Sequence, residues 1–168
     1  MESNTKLKDE LTQKIGVLTR RETEARIIAP LVDALIKTFG KEKIIPILEK
    51  TVMELARNQG SSLAKEYGND VSSFLKTLKF WTQDGALEID LLEKNDTKLD
   101  FNVTRCRYAD MYKALGIQDL GAVLSCNRDA AMIEGFNQDA RLNRKTTIMS
   151  GGKCCTFRYT FEKPSVQG

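Results

Sequence analysis

The chain is 168 residues long, with 41% apolar, 29% charged and 7% aromatic residues and a formal net charge of +3. That length suits one domain and buries enough surface for a core without staples. Its 11 Gly and 3 Pro exclude wholesale disorder, and no apolar run approaches the roughly 20 residues of a membrane span.

From residue 5 to about residue 80 the apolar spacing is helical. Leu7, Leu11, Ile15 and Leu18 form one run, and Ile28, Leu31, Val32, Leu35, Ile36 and Phe39 a second, with Gly40 as its C-terminal cap. Pro30 lies early in the second run, so the helix starts or bends there. A third run, from Ile44 to Ala56, carries Pro46 in its first turn and is expected to end near Gly60. Asn69 or Asp70 is placed to cap a fourth helix through Val71, Phe74, Leu75, Leu78 and Trp81.

After Gly85 the period shortens. Ala86–Leu92 and Leu99–Val103 read as two strands joined at Asn95-Asp96. Thr104 is the expected N-cap of a helix stopped by Gly116, and residues 118–134 read as one helix or two short ones. Leu142–Met149 and Cys154–Phe161 read as a second hairpin across Ser150-Gly151-Gly152. These elements predict an α+β fold: an N-terminal helical block, then an antiparallel sheet of two hairpins with intervening helices. The expectation is one domain over 1–168, with helices over 1–84, an α+β portion over 85–163 and a tail over 164–168. The helical block packs on the sheet or joins copies into a homo-oligomer.

The start of the chain, MESNTKLKDELTQK, carries no apolar signal stretch, so a cytoplasmic protein without a membrane partner is expected. Charge is balanced in both halves, and zinc-finger, RNA-recognition, GxxxxGK[ST] and GxGxxG patterns are absent. That argues against nucleic-acid and nucleotide binding. The chain contains no histidine, which removes the commonest general base and the commonest zinc ligand. Acid–base or nucleophilic chemistry then falls to Asp, Glu, Cys, Lys, Tyr or Arg. The four cysteines, at 106, 126, 154 and 155, all lie in the last two-fifths and form no CxxC pair.

The segment from Leu99 to Tyr159 carries NVTRCRYADMYKALG, then LSCNRD followed by IEGFN, then TTIMSGGKCCTFRY. In these parts it resembles the L-2-amino-thiazoline-4-carboxylic acid hydrolase family. The resemblance implies a small-molecule substrate and hydrolytic opening of a five-membered thiazoline ring to a carbamoyl-cysteine product. Its motif positions fall on Cys106, Cys126, Asp129, Gly151, Cys155 and Arg158. The family usually shows His-Cys where this chain has Cys154-Cys155, so this chain does without that histidine or uses the Cys154 thiol.

Read for themselves, the same residues form pairs. Cys106 falls in the first turn of the helix expected after Thr104, where free N–H groups, Arg105 and Arg107 favour a thiolate. Asp110, four residues on, works the other way. Cys126 and Asp129 share a helical face if no break intervenes. Either a carboxylate takes a proton from thiol or water, or thiolates and carboxylates hold a divalent metal. Strand alternation puts Cys155 with Phe157, Tyr159 and Phe161, and Cys154 with Arg158 on the other face. For a thiazoline carboxylate, Arg158 or Arg141 is the cation and Asp129 or Glu134 the acid. Cys126 or Cys106, ahead of Cys155, or an activated water is the nucleophile. Two other readings stay open: a cysteine-based metal-binding or redox-sensing module, and a small-ligand binder without chemistry.

Overall fold

The computed structural model describes residues 9–162, so Leu7 and the tail after Pro164 lie outside the described residues. Helix α1 spans Leu11–Phe39 and α2 spans Lys41–Tyr67. The two runs expected before Gly40 are therefore one element. Gly16, at φ 71° and ψ 164°, lets the chain turn a corner and resume the helix. Pro30 lies inside α1 rather than at its start.

α2 continues through Gly60, the expected stop, because that glycine is a contact and not a cap. A Cβ on Gly60 would collide with the Met132 carbonyl, and one on Gly135 with the Arg57 carbonyl. The two glycines let α2 meet α7 (Arg128–Phe136) backbone to backbone. Asp70 caps α3 (Val71–Thr77) by accepting the Ser73 N–H at 2.7 Å, and α4 (Lys79–Thr82) follows.

Strands β1 (Leu87–Lys94), β2 (Lys98–Cys106), β3 (Ala140–Asn143) and β4 (Cys155–Phe161) form an antiparallel sheet in the order β1-β2-β4-β3. With the helical block before it, this is the α+β fold that the periodicities predict. Alternation buries Leu99, Phe101 and Val103 of β2 beside Cys155, Phe157, Tyr159 and Phe161 of β4. Phe101 and Phe157 are direct cross-strand partners and stack with ring centroids 4.9 Å apart. Phe74, Ile133 and Phe136 close the core from the helical side.

Three local expectations change. Thr104 lies within β2, because pairing of Glu88 with Arg105 and Leu87 with Cys106 carries the strand past it. Cys106 is itself the N-cap residue of α5 (Arg107–Ala114) and makes no side-chain cap bond. Residues 118–134 resolve into α6 (Gln118–Gly121), a π-helical turn (Ala122–Cys126) and α7. The second hairpin has a shorter first strand, and residues 144–154 form a loop. There Gly151 and Gly152 donate N–H bonds to the Ile148 and Thr147 carbonyls at 3.0 and 2.9 Å, and Met149 drops into a second apolar cluster.

Ile27, Leu31, Phe39 and Ile47 are exposed on the two long helices, and Leu91 and Leu92 on β1. Among the described residues no helix is long and apolar enough to cross a membrane.

Candidate functional site

The inner face of the sheet does not pack solidly against the helices. Between them lies a cavity of about 70 Å³, lined by Phe101, Val103, Phe157 and Tyr159 from the sheet and Val17, Ala56 and Met132 from the helices. That is room for several waters or a small ring. The polar lining includes Cys106 at the end of β2, Ser125 and Cys126 in the π-helical turn, Tyr108 in α5, Asp129 and Arg128 in α7, Cys155 in β4, Arg144 in the loop, and Arg21 and Gln59 from the long helices.

Asp129 is ion-paired with Arg144. Arg144 also donates from Nη2 to the Cys126 carbonyl at 2.8 Å and lies over the Phe157 ring, 5.1 Å from its centroid. Burial raises Asp129 above the ordinary carboxyl value, although Arg144, Arg128 and Arg21 all pull it down.

The other two cations differ in their partners. Arg21, only 3% exposed, donates to Glu24 at 2.7 Å. Arg128 donates to the neutral Gln59 Oε1 at 3.2 Å, and burial together with the Arg21 charge lowers it to about 10. Inside the cavity a guanidinium is therefore hydrogen-bonded to an amide, with the Glu24 and Asp129 carboxylates near enough to act on its charge.

The thiols are shielded. Burial pushes Cys106 up to about 11 and Cys126 up to about 12, and the Asp129 charge adds to the shift at Cys126. Burial raises Cys155 as well, although its sulfur accepts the Ile148 N–H at 3.2 Å. At neutral pH these three are thiols rather than thiolates. Among the described residues no three Cys, Asp or Glu side chains are grouped closely enough to hold a metal ion.

A family model described as L-2-amino-thiazoline-4-carboxylic acid hydrolase matches residues 20–159. The chain belongs to this family. No curated protein matches it. Among solved structures it is similar to the phenol-responsive sensory domain of the transcription activator PoxR with phenol. The TM-score there is 0.52 at 12% identity, over 86% of this chain and 75% of that one. A trafficking protein particle complex subunit 3 from Naegleria fowleri, covalently bound to palmitic acid, gives a TM-score of 0.48 at 12% identity, over 86% of this chain and 96% of that one. The first likeness establishes shared fold only.

In this member of the thiazoline hydrolase family, Cys106, Cys126, Asp129 and Cys155 all line the one cavity, two from the sheet and two from the helical side. The other expected residues lie outside it. Arg158 points to the opposite sheet face, as strand alternation requires, and donates to the Phe101 and Phe157 carbonyls at 2.8 Å and to Asn102 Oδ1 at 2.9 Å. Arg141 donates to the Ala140 carbonyl at 2.7 Å and lines a separate surface hollow. Glu134 pairs with Arg57 at 3.2 Å beside that hollow. Asp110 is exposed on α5. Gly151 serves the loop turn at φ 88°, and the Cys154 carbonyl accepts the Thr146 hydroxyl at 2.9 Å.

Sequence reasoning missed Arg21, Gln59, Arg128 and Arg144 as lining residues. Arg21 did leave a signal: it stands four residues from Val17 and from Ala25 on one helical stripe, a charge among buried positions. Arg144 left one too, since strand alternation over residues 142–149 puts it on the face of Leu142 and Ile148, a charge among apolar positions.

Proposed function

We propose that the cavity hydrolyses a small cyclic amidine that carries a carboxylate, with L-2-amino-thiazoline-4-carboxylate as substrate and a carbamoyl-cysteine as product. The observation that carries this reading is the pairing of two adjacent residues with opposite tasks. Arg128 faces a neutral amide and can take the substrate carboxylate, while Asp129 has a raised carboxyl and can move a proton. Family membership supplies the reaction type.

In this reading Arg144 holds Asp129 in place, and the ring lies against Phe157 and Phe101. The oxygen of a water bonds to ring C2, while one water proton passes to Asp129 and on to the ring nitrogen. The tetrahedral adduct then collapses and the C2–S bond breaks. Its hydroxyl proton moves through the same carboxyl to sulfur, leaving a thiol and a urea. The raised thiols favour water over sulfur as nucleophile, and Cys106, Cys126 and Cys155 are then wall and not warhead.

Incubating the protein with the thiazoline acid and following the product by mass spectrometry tests this. Asp129→Asn is expected to lose about 10²-fold or more in kcat. Arg128→Gln is expected to raise KM at least about tenfold. Cys106→Ser, Cys126→Ser and Cys155→Ser are each expected to keep turnover; loss in any one would return sulfur to the mechanism.

The apolar lining favours one second reading, a small-ligand binder without chemistry. The fold shared with a phenol-responsive sensory domain fits it. Saturable binding of the thiazoline acid with no product would decide for the binder.

A further inference from the structure

Gly40, at φ 91°, turns α1 into α2 and makes the two long helices a hairpin. The last buried residue of α1 is Val32 and the first of α2 is Val52. The sequence between them, DALIKTFGKEKIIPILEKT, is rich in Leu, Ile and Phe, yet among the described residues none of this stretch is buried. Leu35, Ile36, Ile44 and Ile45 are half-buried and belong to neither core cluster. A helical tip with so little packed beneath it is marginal in water, and its apolar residues call for another layer.

Helical spacing gathers them into a stripe on each helix. Ile27, Leu31 and Leu35 follow at four-residue steps on α1, and Ile44, Ile47 and Leu55 at steps of three and eight on α2. Ile27, Leu31, Phe39, Ile47 and Leu55 are 68, 57, 54, 62 and 55% exposed. At roughly 200 Å² for a fully exposed side chain of this size, they leave about 600 Å² of apolar surface in water, the upper end of what a lone monomer shows. Pairing two copies would cover about 1,200 Å² from these residues alone, which is where stable specific interfaces begin.

Charge narrows the choice of occupant. Arg26 pairs with Glu22 and Lys37 with Asp33, each within α1 at 2.6 Å. Past the turn, Lys41 is followed by Glu42 and Lys43, and Glu49 by Lys50. A membrane surface calls for a polar face rich in Lys and Arg, and a strongly acidic or basic partner for one sign of charge. Mixed signs suit a second copy, which brings the same pattern back reversed by a two-fold axis.

We propose that this hairpin is the interface of a homodimer, in which two copies set the stripes of α1 and α2 against one another as four packed helices. The pairing is independent of the hydrolytic reading of the cavity.

The test is sedimentation velocity on the full chain from about 1 to 100 μM, a range that brackets the micromolar or tighter Kd of an interface this size. The expected species has twice the mass of one chain. Leu31→Glu and Ile47→Glu each put an unpaired charge into the seam and should weaken the dimer about 100-fold or more. Leu92→Glu, at an exposed position on β1, should leave it unchanged. Hydrogen exchange should show residues 33–51 protected in the dimer and exchanging about tenfold or more faster in Leu31→Glu, with the sheet equally protected in both. A chain that stays monomeric throughout, a dimer broken by Leu92→Glu and not by Leu31→Glu or Ile47→Glu, or a monomer that cosediments with phosphatidylcholine vesicles would each overturn the assignment.

Discussion

Burial, rather than residue type, sets the chemistry of single side chains here. Cys106 and Cys126 stand near 11 and 12 in the folded protein, against 9.0 for an ordinary thiol. The folded state keeps protons that the unfolded chain gives up from about pH 9. This contribution to stability is complete below that pH and is lost as pH rises through 11 to 12. Thermal melts should show Tm falling between pH 9 and 11, with a shallower fall in Cys126→Ser. Iodoacetamide should also label Cys106 and Cys126 at pH 8 far more slowly than it labels a free cysteine. A Tm indifferent to pH across that range would contradict the shielding. The sequence placed Cys106 at a helix start flanked by arginines and so favoured a thiolate. What it could not show is that β2 runs through Cys106 and turns the sulfur under the sheet, while Arg105 stays outside, 3.3 Å from Glu88.

Among the elements, the legible ones are those whose period is set by the core. The strands β2 and β4 and the long helices follow directly from alternation and from three- and four-residue spacing. Asp70 announced its cap because a carboxylate just before an apolar run has a local task. Gly60 misled for the opposite reason, since a glycine required by a neighbouring backbone looks the same as a glycine that ends a helix. Its partner Gly135 gives a direct test. Gly135→Ala puts a methyl into the Arg57 carbonyl and should cost about 1–3 kcal/mol or more. At this chain length that is a fall of roughly 2–12 °C in Tm. Since α7 carries Asp129 and Arg128, turnover should fall with it.

At the scale of the whole molecule, the site draws on both halves of the chain. The resemblance that named the family rests on Leu99–Tyr159, yet Arg21 and Gln59 reach the cavity from α1 and α2. Convergence of Cys106, Cys126, Asp129 and Cys155 could be anticipated from their clustering late in the sequence. The pairing of Arg144 with Asp129 could not, because it joins the end of β3 to α7 across the cavity, a contact that no local pattern announces. A ligand held by both halves should stabilise both together. Saturating thiazoline acid, at 100 times its Kd, should add about 2.7 kcal/mol to stability, read as a single cooperative rise in Tm that a tenfold weaker Arg128→Gln cuts to about half at the same concentration. A rise undiminished in Arg128→Gln would move the carboxylate to another cation.

The glycine crossing of α2 and α7 also limits how such a pocket can be remodelled. One wall is pinned at main-chain distance and has no slack to yield, so a protein engineer seeking room for a bulkier guest must carve the opposite wall. Phe157 and Val103 are the places to begin a library, and diversity spent along α7 would yield misfolded clones before it yielded new selectivity.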